Sequence, residues 1–439
     1  MNTKYLKNQG EPEAVELAQI LKNRQWDHYI AIPCCGEHEL LPGTLDSLDA
    51  MEKSGHLLVF LLINEGPDTD QTLKQSNQQT LAYLQNRYTL EPLKTSPRAY
   101  LGEGPSYSLL VLDRTGDHCF PPKKGVGLAR KIGADIGLAL FQQSVLKSPW
   151  IHNTDSDARL PVDYLSQLQN QIPEKASTVL HRYRHVPSSS QEQTTHWQAA
   201  MHYESWLRYY VLGLRSAGSP WAFPTIGSTI SIHAPSYAAV HGFPKRQAGE
   251  DFYLLNKLAK VGEVYQARGQ PVILQDRRSH RVPFGTGQGT QKIETMLQDG
   301  QPYMVYHPAS FIALRCYLNA VKAAIFEGQS FKDGLQWSGD LSLESDSELL
   351  NITETESAIK AAKTRARTLD GAWKQFHHWF DAFRTLKFIH LWRDKRFGEL
   401  SLKDALSASD FWSEPVADLP ALLERLRHHE ETVIIQHMN

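Results

Sequence analysis

Cysteine is scarce in this chain: Cys34, Cys35, Cys119 and Cys316 are the only four in 439 residues. Their spacing offers neither the paired ligands of a zinc site nor the framework of a small secreted domain, which fits a reducing cytosol. The adjacent Cys34 and Cys35 read as small core residues beside a strand rather than as a redox pair. Excess charge is lacking too. The formal net charge is −2 and no long basic run occurs, so nucleic acid is not expected as a partner. Long apolar runs are equally missing. The longest uninterrupted one, Leu57 to Ile63, is roughly a third of what a bilayer requires, so no transmembrane segment is expected. Met1 to Gly10 is polar and lacks the apolar centre of a signal peptide. The expected location is cytoplasmic, with association at a membrane periphery left open. No internal repeat is evident.

What is present is an alternation of strands and helices. The length exceeds the roughly 250–300 residues at which one core stops growing, so a main domain with an appendage is expected. Pro12 to Asn23 reads as a leading helix and His28 to Pro33 as a first strand. Glu39 to Met51 follows as a helix, and Leu57 to Asn64 as a strand too continuously apolar to be half exposed. Asp70 to Tyr88 reads as a polar helix, Glu91 to Pro105 as a loop, Tyr107 to Leu112 as a third strand, Gly127 to Leu146 as an apolar helix and Trp150 to Thr154 as a fourth strand. Beyond these come a helix at Val162 to Gln171, a strand at Thr178 to His185, a helix near Gln191 to Leu214, a strand at Ile226 to His233 and a helix at Glu250 to Lys260. From Tyr303 onward the pattern is almost wholly helical. Such alternation predicts an α/β fold with a mostly parallel central sheet and ligands beyond the carboxyl ends of its strands, followed by a helical C-terminal region. The boundaries drawn from the pattern are an N-terminal helical extension at 1–27, a catalytic domain at 28–299 and the helical region at 300–439.

The fourth strand stops in two carboxylates one residue apart, Asp155-Ser156-Asp157. Paired carboxylates at a strand end suit a hard divalent cation, because Mg²⁺ takes oxygen ligands and shares its shell with substrate phosphates. A second such triplet, Asp68-Thr69-Asp70, is read as a solvated turn that caps the next helix. The context of Trp150-Ile151 before the first triplet and Leu160-Pro161-Val162 after it favours Asp155 and Asp157 for the metal. In Gly249-Glu250-Asp251-Phe252 the acids open a helix, where a carboxylate serves as a cap or, beside a bound substrate, as a base.

In order and spacing these pieces resemble the family 2 glycosyltransferases of the GT-A fold. The matching residues are Ile32-Pro33 with Glu37, Leu41-Pro42 through Leu48, Asn64 to Asp70, Gly125 to Arg130, Asp155-Ser156-Asp157, Gly227 to Ile232, Gly242-Phe243 and Gly249 to Phe252. They span roughly residues 28 to 290. The resemblance implies a GT-A-type nucleotide-sugar-binding fold and transfer of a sugar from a UDP or GDP donor to an acceptor hydroxyl. It further implies that Pro33, Glu37, Asn64 and Arg130 line the nucleoside pocket. Asp155 would lie near the ribose and share with Asp157 the binding of Mg²⁺ or Mn²⁺, and Asp251 would be the base of an inverting reaction. Family members usually carry Asp where this chain has Asn64; an amide both donates and accepts, so base binding survives while uracil and guanine both stay open. Relatives often place a third metal ligand or a phosphate contact in the segment Gln275 to Gly289, where His280 is the candidate ligand and Arg281 the candidate phosphate contact.

Two alternatives were weighed against this reading. A nucleotidyltransferase needs a basic glycine-rich loop after strand one, and Pro33-Cys34-Cys35-Gly36-Glu37 holds no Lys or Arg. A catalytically inactive nucleotide-sugar-binding protein would not need Asp155, Asp157 and Asp251 together. The Gly125-x-Gly127 pair is not a dinucleotide fingerprint, since the third glycine position holds Arg130. The aromatics of Tyr203 to Tyr210 and Trp221-Ala222-Phe223 are read first as core and only second as sugar platforms. Trp373, Phe376, Trp379, Phe380, Phe383, Leu386 and Ile389 form one helix side with basic residues beside it. Packing on the catalytic domain, or self-association into a homo-oligomer, is favoured there over a membrane surface. The acceptor class stays open among saccharides, small metabolites and lipid-linked glycans.

Overall fold

The computed structural model describes residues 4–52, 54–168, 172–188, 194–277, 285–335, 347–415 and 418–436. The chain divides into two compact units, 1–192 with 225–289 and 193–224 with 290–439.

The first unit is built on a nine-stranded sheet. Its strands come from β1 (His28–Cys34), β2 (Leu57–Asn64), β3 (Glu91–Leu93), β4 (Ala99–Glu103), β5 (Tyr107–Arg114), β6 (Trp150–Asn153), β8 (Ala176–Leu180), β10 (Ile230–His233) and β11 (Glu263–Gln266). Across the sheet the order is β11-β8-β10-β6-β1-β2-β5-β4-β3. β1 is parallel to both β2 and β6, and β2 to β5. β10 runs against β6 and β8, β11 lies parallel to β8, and β4 runs against β5 and β3. Seven of the nine strands therefore point one way, and only β4 and β10 are reversed. The all-apolar Leu57–Asn64 is buried along its whole length, because parallel strands are covered on both faces. Three further strands, β7 (Ala158–Arg159), β9 (Tyr183–Pro187) and β12 (Val272–Asp276), form a small sheet in the order β7-β12-β9.

Several elements depart from the sequence pattern for local reasons. Residues 91–105 hold β3 and β4 rather than a plain loop; Pro92 is accommodated because β3 is the sheet's outer strand, where a missing N–H costs little. The expected helix from 162 is turns with a short 3₁₀ segment, Ser166–Leu168, since Asp163 is drawn into bonds with Gln167 Nε2 and the backbone N–H of Gln270. Residues 178–185 do not make one strand. The chain leaves the large sheet at His181, whose ring bonds Ser231 Oγ (2.8 Å) and Gln167 Oε1 (2.9 Å), and enters the small one at Tyr183.

The helices α1 (Lys4–Gln9), α2 (Pro12–Ile20), α3 (Leu41–Asp49), α4 (Gln71–Arg87) and α5 (Val126–Gln142) precede α6 (Thr195–Ser216), which belongs to the second unit. α7 (Ala234–Ala239) and α8 (Glu250–Val261) return to the first. Asp70 caps α4 by accepting from Leu73 N (2.9 Å), the role read for it in the sequence. α5 is nearly all buried and is held by an ionic hub that the sequence reading did not foresee. Asp135 accepts from Lys131 Nζ (2.8 Å), Tyr5 OH (2.7 Å), Tyr237 OH (2.8 Å) and the backbone N–H of Glu11 (2.9 Å). The N-terminal extension is thereby tied to the helix that carries Arg130.

Among the described residues, the second unit is helical apart from a two-stranded ladder between Met304–Tyr306 and Glu399–Ser401. The sequence boundary at 299/300 would have left α6 with the first unit. Its Glu204 instead receives Arg427 Nε and Nη2 (2.7 Å each) within the second. Ala309–Phe326 is 18 residues of mean hydropathy 1.3, long and apolar enough to cross a bilayer by composition. Phe311, Leu314, Tyr317 and Val321 on it are buried in the helical core. Phe376, Phe380, Ile389 and Trp392 are buried in the same core, while Phe383 stays exposed. Trp206 and Tyr210 pack against it, the reading preferred for that aromatic stripe.

Candidate active site

The carboxyl ends of β1, β2 and β6 lie side by side, as their register requires: Pro33 faces Leu62, and Ala31 faces Asn153. Each end continues into a segment that carries a candidate residue. Asn64 closes β2, where its carbonyl accepts from Asn77 Nδ2 (3.1 Å). After β6 the chain turns sharply, with Ala158 N bonded to Asp155 O (3.2 Å). The turn is pinned by α3, since Thr44 Oγ1 donates to Ser156 O (2.8 Å) and Leu160 N to Ser47 Oγ (3.0 Å). This is why the Thr44-x-x-Ser47 part of the motif accompanies the acidic one: its hydroxyls fix the carboxylates' backbone.

Two guanidinium groups organise the acids. Arg130, buried on α5, donates from Nη2 to Asp155 Oδ1 (2.7 Å) and from Nε to Glu250 Oε1 (2.9 Å). Gly227 makes room for it, because a Cβ there would lie 2.6 Å from Arg130 Nη2. Residues 227–229 form a 3₁₀ turn rather than the start of the strand, and Ile230–His233 pairs in the sheet. The second cation is Arg277, directly after β12. Its Nε donates to Asp157 Oδ2 and its Nη2 lies 2.6 Å from Glu37 Oε1. The antiparallel pairing of β12 with β7, Leu274 opposite Ala158 and Ile273 opposite Arg159, carries Arg277 to the acidic turn. Nothing in the sequence distinguishes Arg277 from its basic neighbours; the β7–β12 register singles it out.

Asp251 stands in the first turn of α8, after Gly249 in the left-handed conformation (φ 69°) that lets the chain enter the helix abruptly. Its Oδ1 accepts from Phe252 N (2.7 Å). Burial, then the Glu250 charge, raises its carboxyl pKa to about 7, and the Phe252 N–H and Arg130 oppose the rise. Asp155 also acts on it electrostatically, so α8 and the acidic turn belong to one electrostatic cluster. Five carboxylates, Glu37, Asp155, Asp157, Glu250 and Asp251, are gathered around two guanidinium groups. Such an excess of negative charge favours a further cation.

The residues fit a divalent ion in one specific sense. Their donors are hard carboxylate oxygens, and Asp157 already holds a cationic side chain. Among the described residues no three His, Cys, Asp or Glu side chains converge as a metal site, so substrate phosphates and water would supply the remaining ligands. Arg130 Nη1, Asn153 Oδ1 and Thr154 Oγ1 are buried without a hydrogen-bond partner among the described residues. Buried orphan donors and acceptors at one strand end are a cost that a bound ligand removes. His280 and Arg281 lie outside the described residues.

Neither a protein-family model nor a curated protein matches this sequence. Solved structures do resemble it. S. aureus TarS 1–349 in complex with UDP is 12% identical, with 85% of this chain and 93% of that chain covered and a TM-score of 0.35. The mannosyltransferase PcManGT from Pyrobaculum calidifontis, in complex with GDP-Man and Mn²⁺, is 14% identical, with 85% and 88% covered and a TM-score of 0.36. Glucosyl-3-phosphoglycerate synthase from Mycobacterium tuberculosis, in complex with Mn²⁺, UDP and glucosyl-3-phosphoglycerate, is 14% identical, with 66% and 88% covered and a TM-score of 0.34. A mannosyltransferase and a glucosyl-3-phosphoglycerate synthase are thus among its neighbours.

Beneath the acidic turn lies a polar network that no sequence motif marks out. Ser231 Oγ bonds His152 Nδ1 (2.7 Å) as well as His181 Nε2, and Tyr164 stacks on His181 at 4.2 Å. Burial holds His152 well below the usual imidazole range and pushes His181 down to about 3. Both rings are therefore neutral and act as hydrogen-bonding spacers in the sheet below Asp155.

Proposed function

We propose that this protein is a metal-dependent, inverting glycosyltransferase of the GT-A type that moves a sugar from a UDP or GDP donor to an acceptor hydroxyl. The observation that carries the reading is the joining of the acidic turn to α8: Arg130 bridges Asp155 to Glu250, and Asp251 beside Glu250 has its pKa raised to about 7. A carboxylate poised near neutrality is suited to general-base work. In this reading Pro33, Glu37 and Asn64 border the nucleoside, Arg130 and Asp155 lie toward the ribose and diphosphate, and Arg281 contacts phosphate. Asp157, with Asp155 and His280, would hold Mg²⁺ or Mn²⁺, which would supply Lewis-acid neutralisation of the departing diphosphate. Asp251 takes the proton of the acceptor hydroxyl as its oxygen bonds the anomeric carbon and the bond to the diphosphate breaks on the opposite face. Arg130 Nη1, a buried donor, offers a charged hydrogen bond where negative charge gathers.

The test has two arms. UDP- and GDP-sugars are screened by thermal shift with and without Mn²⁺, since ligand at 100 times its Kd adds about 2.7 kcal/mol of stability. Asp251→Asn is then assayed for transfer and for donor affinity. The expected result is a shift with one nucleotide class that needs Mn²⁺, and a variant that binds donor nearly as the parent does while losing transfer by at least about a hundredfold. Full turnover by Asp251→Asn removes it as the base, and no shift with any nucleotide removes the donor assignment.

A further inference from the structure

Resting on the metal reading of Asp157, we infer that Arg277 is a built-in counter-ion that a divalent cation must displace from Asp157, so that this arginine sets the metal affinity of the site. The guanidinium contacts two carboxylates of unequal accessibility: Glu37 is almost fully buried, and Asp157 retains 15% side-chain exposure. The buried Glu37 carries the larger desolvation cost and needs a cation permanently, whereas Asp157 can exchange one cation for another. Arg277 is anchored from both sides. The β12–β7 pairing fixes its backbone beside the turn, and Glu37 Oε1 holds Nη2 at 2.6 Å. On metal arrival the guanidinium therefore keeps Glu37 and gives up the Nε contact to Asp157, a change within reach of side-chain rotation. The same Nε–H then faces the diphosphate that comes with the metal, since a guanidinium freed from one oxyanion pairs readily with another.

Competition of this kind is measurable without turnover. Mn²⁺ binding to the full-length protein, followed by the loss of free-ion EPR signal with no nucleotide present, is compared for the parent, Arg277→Gln, Arg277→Lys and Asp157→Asn. Arg277→Gln should bind Mn²⁺ up to about fivefold more tightly than the parent, the scale of one partly exposed ion pair removed. Arg277→Lys, a point charge that cannot fork between two carboxylates, should fall between them. Thermal melts with and without Mn²⁺ give a second readout: Arg277→Gln should melt lower than the parent without metal and gain more from Mn²⁺. Equal or weaker Mn²⁺ binding by a folded Arg277→Gln overturns the counter-ion inference and makes Arg277 an organiser of the site. Unchanged Mn²⁺ binding by Asp157→Asn is a different failure, that of the metal reading itself.

Discussion

At the scale of single residues, the chemistry depends on how neighbours treat like groups differently. Asp155 and Asp157 are each paired with a guanidinium, whereas Asp251 sits against Glu250 in the first turn of α8, where burial and that neighbour's charge raise its pKa. On the proposal that Asp251, with a pKa of about 7, is the base, it is inactive when protonated, so kcat/KM should rise as pH increases through about 7 and level off above it. A rate profile from pH 5.5 to 8.5 checks this, and a flat profile would remove Asp251 from the rate-determining proton transfer. As candidates, Asp155, Asp157 and Asp251 were legible in the sequence through their spacing and the family resemblance. Arg277 was not, because one arginine in a basic loop carries no mark of its partner.

Among the elements, α5 is the one on which the site hangs. Its Arg130 reaches Asp155 and Glu250, and the next residue, Lys131, enters the Asp135 hub that binds α1 and α7. Glu11 joins the same hub through Lys131 at 3.8 Å and Lys245 at 2.6 Å. Replacing Asp135 by Asn leaves Lys131 buried without its closest counter-charge and turns an N–H group toward hydroxyl donors. The loss should be about 3–5 kcal/mol, the cost of breaking a buried ion pair from one side. Denaturant unfolding measures it, and a loss below about 1 kcal/mol would mean that the hub contributes no more than a surface pair. Sequence periodicity located α5 and the leading helix but could not join them, since the joining residues are polar at positions a core pattern assigns to apolar ones.

For the whole molecule, stability should fall in acid for a reason separate from the carboxylates. His181 has a folded pKa of about 3 against 6.5 for the free side chain, and His152 is also depressed. Between those values the unfolded chain binds more protons, so the contribution is present above pH 6.5 and is lost as pH drops toward 3. Asp251 runs in the opposite sense, its raised pKa favouring the fold below 3.8 and losing that contribution as pH climbs through about 7. The melting temperature should therefore decline from pH 6.5 to 4.5, and more shallowly in His181→Gln. Identical slopes for the two proteins would assign the acid lability to other groups.

Composition, periodicity and motif order by themselves determined the α/β class, the buried parallel strand at Leu57–Asn64, the acidic turn after β6 and the helical C-terminal region, because each is written locally in apolar spacing or in adjacent residues. Tertiary structure alone decided which cation meets which acid and where α6 belongs. It also decided that Thr178 to His185 splits between two sheets and that Tyr5 and Glu11 hold α5 through Lys131 and Asp135. Those outcomes turn on strand register and on pairs more than a hundred residues apart, such as Arg130 with Glu250 and Arg277 with Asp157. A charge can be read from a sequence, but its partner is chosen by the backbone that brings the two within a few ångströms at low dielectric, where the pairing outweighs the cost of leaving water.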